Sequence, residues 1–117
     1  MDSPEKYRKD FEIIRLTADQ LIKDFGIHGI EINFNGKELT AYDELKKQIT
    51  PLLYDLFRND RSLFQSILYR IDISEKQFKH LLMADSSEFP EKLAEMVLQR
   101  EFQKILIRKY FEKEKGN

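Results

Sequence analysis

Chemistry in this chain would have to come from few residues, and the two histidines are the first to weigh. His28 and Glu31 have the i, i+3 spacing of a ligand pair, but the surrounding pattern is that of a strand rather than a helix. A metal ion needs three or four converging donors, so His28 reads as a loop histidine. His80, beside Leu81-Leu82, reads as a boundary or surface residue. No HExxH or E-x-x-H run occurs. Asp72 and Glu75 form a spaced carboxylate pair of the kind that can divide acid and base roles. They also flank a helix start, where the macrodipole favours negative charge, and that explanation suffices. Arg70 and Asp72 sit among Leu68, Ile71 and Ile73, where an ion pair fixing the connection is expected. No phosphate loop or nucleophile elbow is present, and Ser62, Ser66, Ser74, Ser86 and Ser87 have no base assigned by spacing. An enzyme would need a non-local site, with Tyr54, Tyr69 and Tyr110 the aromatic residues to inspect. No catalytic residue, metal ligand or cofactor is assigned.

The elements that hold these residues centre on Leu63 to Met83. Leu63, Phe64, Ile67, Leu68 and Ile71 recur at intervals that fall on one face of a helix. Asp60 or Ser62 supplies its N-cap. Ser74 and Gln77 match a capping box ahead of Phe78, Leu81 and Leu82. Ile71 and Ile73 bracket Asp72, so the connection itself should dip into the core. The segment Leu68-Tyr69-Arg70-Ile71-Asp72-Ile73-Ser74-Glu75, with Leu63-Phe64 upstream, resembles a phrase found in small uncharacterised helical bacterial proteins. The resemblance spans about a fifth of the chain. It implies a bacterial source and transfers no functional residue.

Upstream, Ser3-Pro4 predicts a helix start. Tyr7, Phe11, Ile14, Ala18, Leu21, Ile22 and Phe25 then form a core-facing stripe, closed by Gly26 in the left-handed position. Ile30, Ile32 and Phe34 alternate with Glu31 and Asn33. With Asn35-Gly36 as a turn and Lys37–Leu39 returning, they predict a small hairpin. Thr40 and Asp43 open a helix with Tyr42, Leu45 and Ile49 on its inner side. Pro51 should either kink that helix or, the preferred reading, end it, with Thr50 capping another that carries Leu52, Leu53, Leu56 and Phe57. After Asp85–Pro90, a long helix to about Lys113 is apolar on shifting sides, from Leu93–Leu98 to Phe102–Phe111. Such a helix either threads between several neighbours or meets a second subunit.

The chain has 117 residues, one domain's worth, and 41% hydrophobic against 35% charged residues suits a solvated globular fold. Without cysteine, disulfides and thiolate chemistry are excluded. No apolar run spans a bilayer, and Met1–Glu5 lacks signal-peptide character, so a cytoplasmic location is expected. Of 20 basic and 21 acidic residues, only the stretch 90–117 carries a basic excess. That argues against nucleic acid, whose binding depends on phosphate neutralisation. The expected fold is therefore mainly α, a single domain over 1–117. It is an irregular bundle of five or six helices with a small hairpin after the first. The expected function is a non-enzymatic protein–protein interaction or assembly domain, homodimer formation included. Phe102, Ile107 and Tyr110 mark its contact surface. The alternative is a weak nucleic-acid-binding regulator using 63–83 as a helix-turn-helix, with Arg70, Asp72, Lys76, Lys79 and His80 near the ligand. No membrane association and no small-molecule ligand are expected.

Overall fold

A computed structural model of the chain describes residues 10–34, 36 and 41–115. Among these residues five helices follow in order: α1 (Phe11–Gly26), α2 (Ala41–Asn59), α3 (Arg61–Ile71), α4 (Glu75–Met83) and α5 (Phe89–Lys115). The spine is α5. Its 27 residues reach about 40 Å at a rise of ~1.5 Å each, most of the molecule's 46 Å long axis. The N-terminal half of α5 packs on α2, where Tyr54 meets Phe89, Lys46 bonds Glu95 and Tyr42 packs against Phe102. The C-terminal half takes α1, through Asp24 to Lys104 and Glu12 to Lys109. In both series the partner's number rises as that of α5 falls, so α1 and α2 run antiparallel to the spine. The shifting apolar sides of α5 follow from this arrangement, since successive neighbours lie on different sides of it.

Each helix begins or ends for local reasons. Asp10 and Asp60 cap α1 and α3 by accepting the N–H of Ile13 at 3.2 Å and of Leu63 at 3.1 Å. Ser74 and Gln77 form the expected capping box of α4. Asp72 closes α3 at φ 73°, ψ 46°, a left-handed conformation that Asp tolerates better than most residues. This turn drops Ile71 and Ile73 into the core at 0% and 7% exposure, and each buried isoleucine contributes about 2 kcal/mol. At the far end of the spine Phe57 gathers the rings of Phe64, Phe78 and Phe89 at 5.5, 5.7 and 5.2 Å. Through Phe78 this cluster anchors α4, a helix with no fully buried residue.

Three local expectations are corrected. Among the described residues there is no strand, so the hairpin is not formed there; Asn35 and 37–40 lie outside them. The alternation of burial is nonetheless present: Ile32 is buried, Ile30 and Phe34 are half-buried, and Glu31 and Asn33 are exposed. A side chain replaces the partner strand. The Gln48 carboxamide accepts the Asn33 N–H at 2.9 Å and donates to the Asn33 carbonyl at 2.8 Å. Gly26 is the last helical residue, and the left-handed glycine is Gly29 at φ 77°. Pro51 lies inside an unbroken α2. Leu45, Ile49 and Leu53, all buried to 1% or less, keep one continuous contact with the core across it, and that packing outweighs the missing N–H. The Thr50 hydroxyl donates to the Lys46 carbonyl at 2.6 Å rather than capping a new helix. The expected start at Ser3-Pro4, and Tyr7 with it, lie outside the described residues.

Candidate functional site

Two features depart from an ordinary helical core: an ionic cluster sealed inside it, and an apolar side of α5 turned to solvent. The cluster begins with Asp24 in the last turns of α1. It lies three residues after Leu21 and seven after Thr17, on the buried face, and is 1% exposed. Burying a carboxylate demands partners, and Asp24 has three. Its Oδ1 accepts from Gln20 Nε2 at 3.0 Å and Arg70 Nε at 3.1 Å, and its Oδ2 accepts from Lys104 Nζ at 3.2 Å. Arg108 extends the chain by donating to Gln20 Oε1 at 2.9 Å. Three helices, α1, α3 and α5, are thus joined at one carboxylate.

Glu101 lies against this group and is satisfied by none of it. The side chain is fully buried at 0% exposure, on the same face of α5 as Ala94, Leu98 and Ile105. Lys104 Nζ lies 2.9 Å from Oε1, close enough for an ion pair. That contact lacks the geometry of a hydrogen bond, and neither carboxyl oxygen accepts one. Burial pushes the Glu101 carboxyl up to about 8, reinforced by the neighbouring Asp24 carboxylate, while Lys104 opposes the rise. At neutral pH Glu101 therefore holds its proton, beside the Asp24 carboxylate with which it shares the Lys104 ammonium.

The residues singled out from the sequence separate in space. Arg70 and Asp72 do not pair with each other. Arg70 turns inward to Asp24, whereas Asp72 accepts from Arg100 Nη2 at 2.8 Å, and Arg100 Nε also bonds the Asp72 carbonyl. Both pairs fasten the α3–α4 connection to its surroundings, by different routes from the local one expected. Lys76, Lys79 and His80 are all exposed on α4. Phe102 is a correction: at 1% exposure it packs against the tilted ring of Tyr42 inside the core and offers nothing to a partner. Ile107 and Tyr110 face solvent at 38% and 61%, joined by Phe111 at 58%. At ~100° per residue, Ile107 and Tyr110 lie roughly 120° and 180° around the helix from Glu101. This half of α5 is therefore apolar on a second side, well away from the core.

Sequence reasoning missed Asp24, Glu101 and Lys104. The readable signal was a charge inside an apolar stripe: Asp24 three residues after Leu21, and Glu101 between Leu98 and Ile105. What the sequence hides is the long-range partners of Asp24, since Arg70 and Lys104 lie 46 and 80 residues away.

Among the described residues no three His, Cys, Asp or Glu side chains are placed to hold a metal ion. Among the same residues no helix is long and apolar enough to cross a membrane. An open depression of about 490 Å³ on α2, lined by Pro51, Leu52, Tyr54, Asp55, Arg58 and Asn59, presents no acid–base pair in reach of a nucleophile. No known protein family, curated protein or solved structure matches the chain, so the reading of these features rests on their geometry.

Proposed function

We propose that the protein is a non-enzymatic interaction or assembly domain of the bacterial cytoplasm, acting through the solvent-facing apolar side of α5. The observation that carries this reading is the exposure of Ile107, Tyr110 and Phe111. Their i, i+3, i+4 spacing is the one by which a helix lays an apolar stripe into a groove or against another helix. The Tyr110 and Phe111 rings meet edge to face at 5.9 Å, giving the patch two large aromatic anchors. Self-association is the form to test first, by sedimentation of the whole chain from low to high micromolar concentration. The expected result is a rise in mass with concentration that Tyr110→Glu abolishes while helical content stays unchanged. A monomer at every concentration rejects the homodimer.

The alternative, a nucleic-acid-binding regulator using residues 63–83, has the exposure of Lys76, Lys79 and His80 in its favour. Asp72, Glu75 and Asp85, also exposed at the ends of α4, repel phosphate there. Fluorescence polarisation with duplex DNA at low salt separates the readings; an unchanged signal removes the alternative.

A further inference from the structure

The polar cluster between α1, α3 and α5 contains one more acid than its donors can serve. Asp24 takes every hydrogen bond on offer: from Gln20 on its own helix, Arg70 on α3 and Lys104 on α5. Glu101, fully buried, takes none. Among the described residues, the ammonium in contact with both acids is that of Lys104, 3.2 Å from Asp24 and 2.9 Å from Glu101. Arg70 reaches only the Asp24 side, and Arg108 stops at Gln20. A second carboxylate charge in this position would have beside it only the ammonium already bonded to Asp24, and a like charge as its neighbour.

We infer that the contact of α1 with α5 is a proton-dependent latch, closed while Glu101 carries a proton shared with Asp24 and released when that proton leaves. The shared proton turns a repulsive carboxylate pair into a hydrogen bond across the two helices. Once it is lost, Glu101 can be satisfied only by admitting water or by drawing Lys104 away from Asp24. Either movement loosens α1, and with it Arg70 at the end of α3. The direction agrees with the upward displacement of the Glu101 carboxyl described above. The distal aromatic cluster, which holds α4, contains none of these groups, so release is confined to the α1 end of the spine. The latch does not depend on the interaction reading and stands or falls separately.

The test uses the whole chain in two measurements. Carboxyl carbon NMR follows Glu101 through pH, and amide hydrogen exchange follows α1, with α4 as the internal control. The expected Glu101 midpoint lies above about pH 6.5, well clear of an ordinary glutamate. Protection of α1, corrected for the intrinsic rate, should fall on the order of tenfold between about pH 6 and about pH 9, while α4 stays unchanged. In Glu101→Gln the α1 fall should shrink to less than about twofold, because the amide keeps the shape and cannot ionise. A Glu101 midpoint at or below about pH 6.5, or an equal loss of α1 protection in wild type and variant, overturns the latch. If the glutamine variant does not fold, the wild-type midpoint and its coincidence with the loss of α1 protection decide the matter alone.

Discussion

Asp24 and Glu101 are both buried acids, and they enter stability differently, Asp24 through its partners and Glu101 through its proton. Replacing Asp24 by Ala removes the acceptor for Arg70, Lys104 and Gln20 and leaves the Lys104 ammonium with Glu101 alone. Breaking one side of a buried ion pair typically costs about 3–5 kcal/mol, and the partial exposure of Arg70 favours the lower end. The expected loss for Asp24→Ala is about 3 kcal/mol, measured as a fall in the urea midpoint. Glu101 sets the pH dependence. Its folded-state value, about 8, lies above the ordinary 4.5, so between the two the folded chain binds more protons than the unfolded one. Stability should be at its full value below the unfolded pKa and decline as pH rises through the folded one. The decline is bounded at about 5 kcal/mol by the size of the displacement. Urea titrations from acid to mildly alkaline pH read this directly; a curve that climbs towards alkaline pH contradicts the assignment. Glu12 works in the other sense. Lys109 holds its carboxyl below the usual value, so its contribution is present at neutral pH and lost in acid. With Glu12 exposed and Lys109 partly so, that pair is screened and minor.

At the scale of elements, α2 offers the sharpest test. Its proline is solvent-exposed, while the residues around it make one continuous buried face. Pro51→Ala restores the missing N–H and relieves the clash with the preceding turn, but it also frees the unfolded chain. An interior proline costs about 3 kcal/mol and the entropy it removes from the unfolded state is worth up to ~1 kcal/mol. The expected net is a gain of about 1–2 kcal/mol in thermal or urea unfolding, with no change in fold. A loss would mean that the helix uses a bend at this point. The same helix shows what sequence can and cannot convey. The caps at Asp60 and Ser74 and the burial of Ile71 and Ile73 were legible because each depends on residues within three or four positions. Pro51 was misjudged because its local cost was visible, whereas the packing of Leu45, Ile49 and Leu53 against other helices was not. The hairpin failed for a related reason. The alternation of Ile30, Ile32 and Phe34 correctly gave their burial but not what would bond the backbone, which is a glutamine 15 residues away. The candidate surface divided similarly: Ile107 and Tyr110 are exposed, while Phe102, equally apolar, faces Tyr42.

For the molecule as a whole, the arrangement of neighbours along α5 makes two centres of stability rather than one. The aromatic cluster around Phe57 grips the start of the spine, and the Asp24–Glu101–Lys104 group grips its later turns. From Phe89 to Glu101 is about 18 Å along the helix axis at ~1.5 Å per residue. Sites this far apart with no shared partner normally act independently, within about 0.5 kcal/mol. Phe78→Ala should cost about 3 kcal/mol by emptying the aromatic cluster and detaching α4. Combined with Asp24→Ala, the losses should add if α5 is simply a rod to which both ends are fixed. The double-mutant cycle is best run in urea on milder pairs, Phe78→Leu with Asp24→Asn, so that all four proteins remain folded. A coupling energy near zero supports two independent grips. A coupling well above ~0.5 kcal/mol would show that strain passes along the spine, in which case loosening α1 would also be felt at α4.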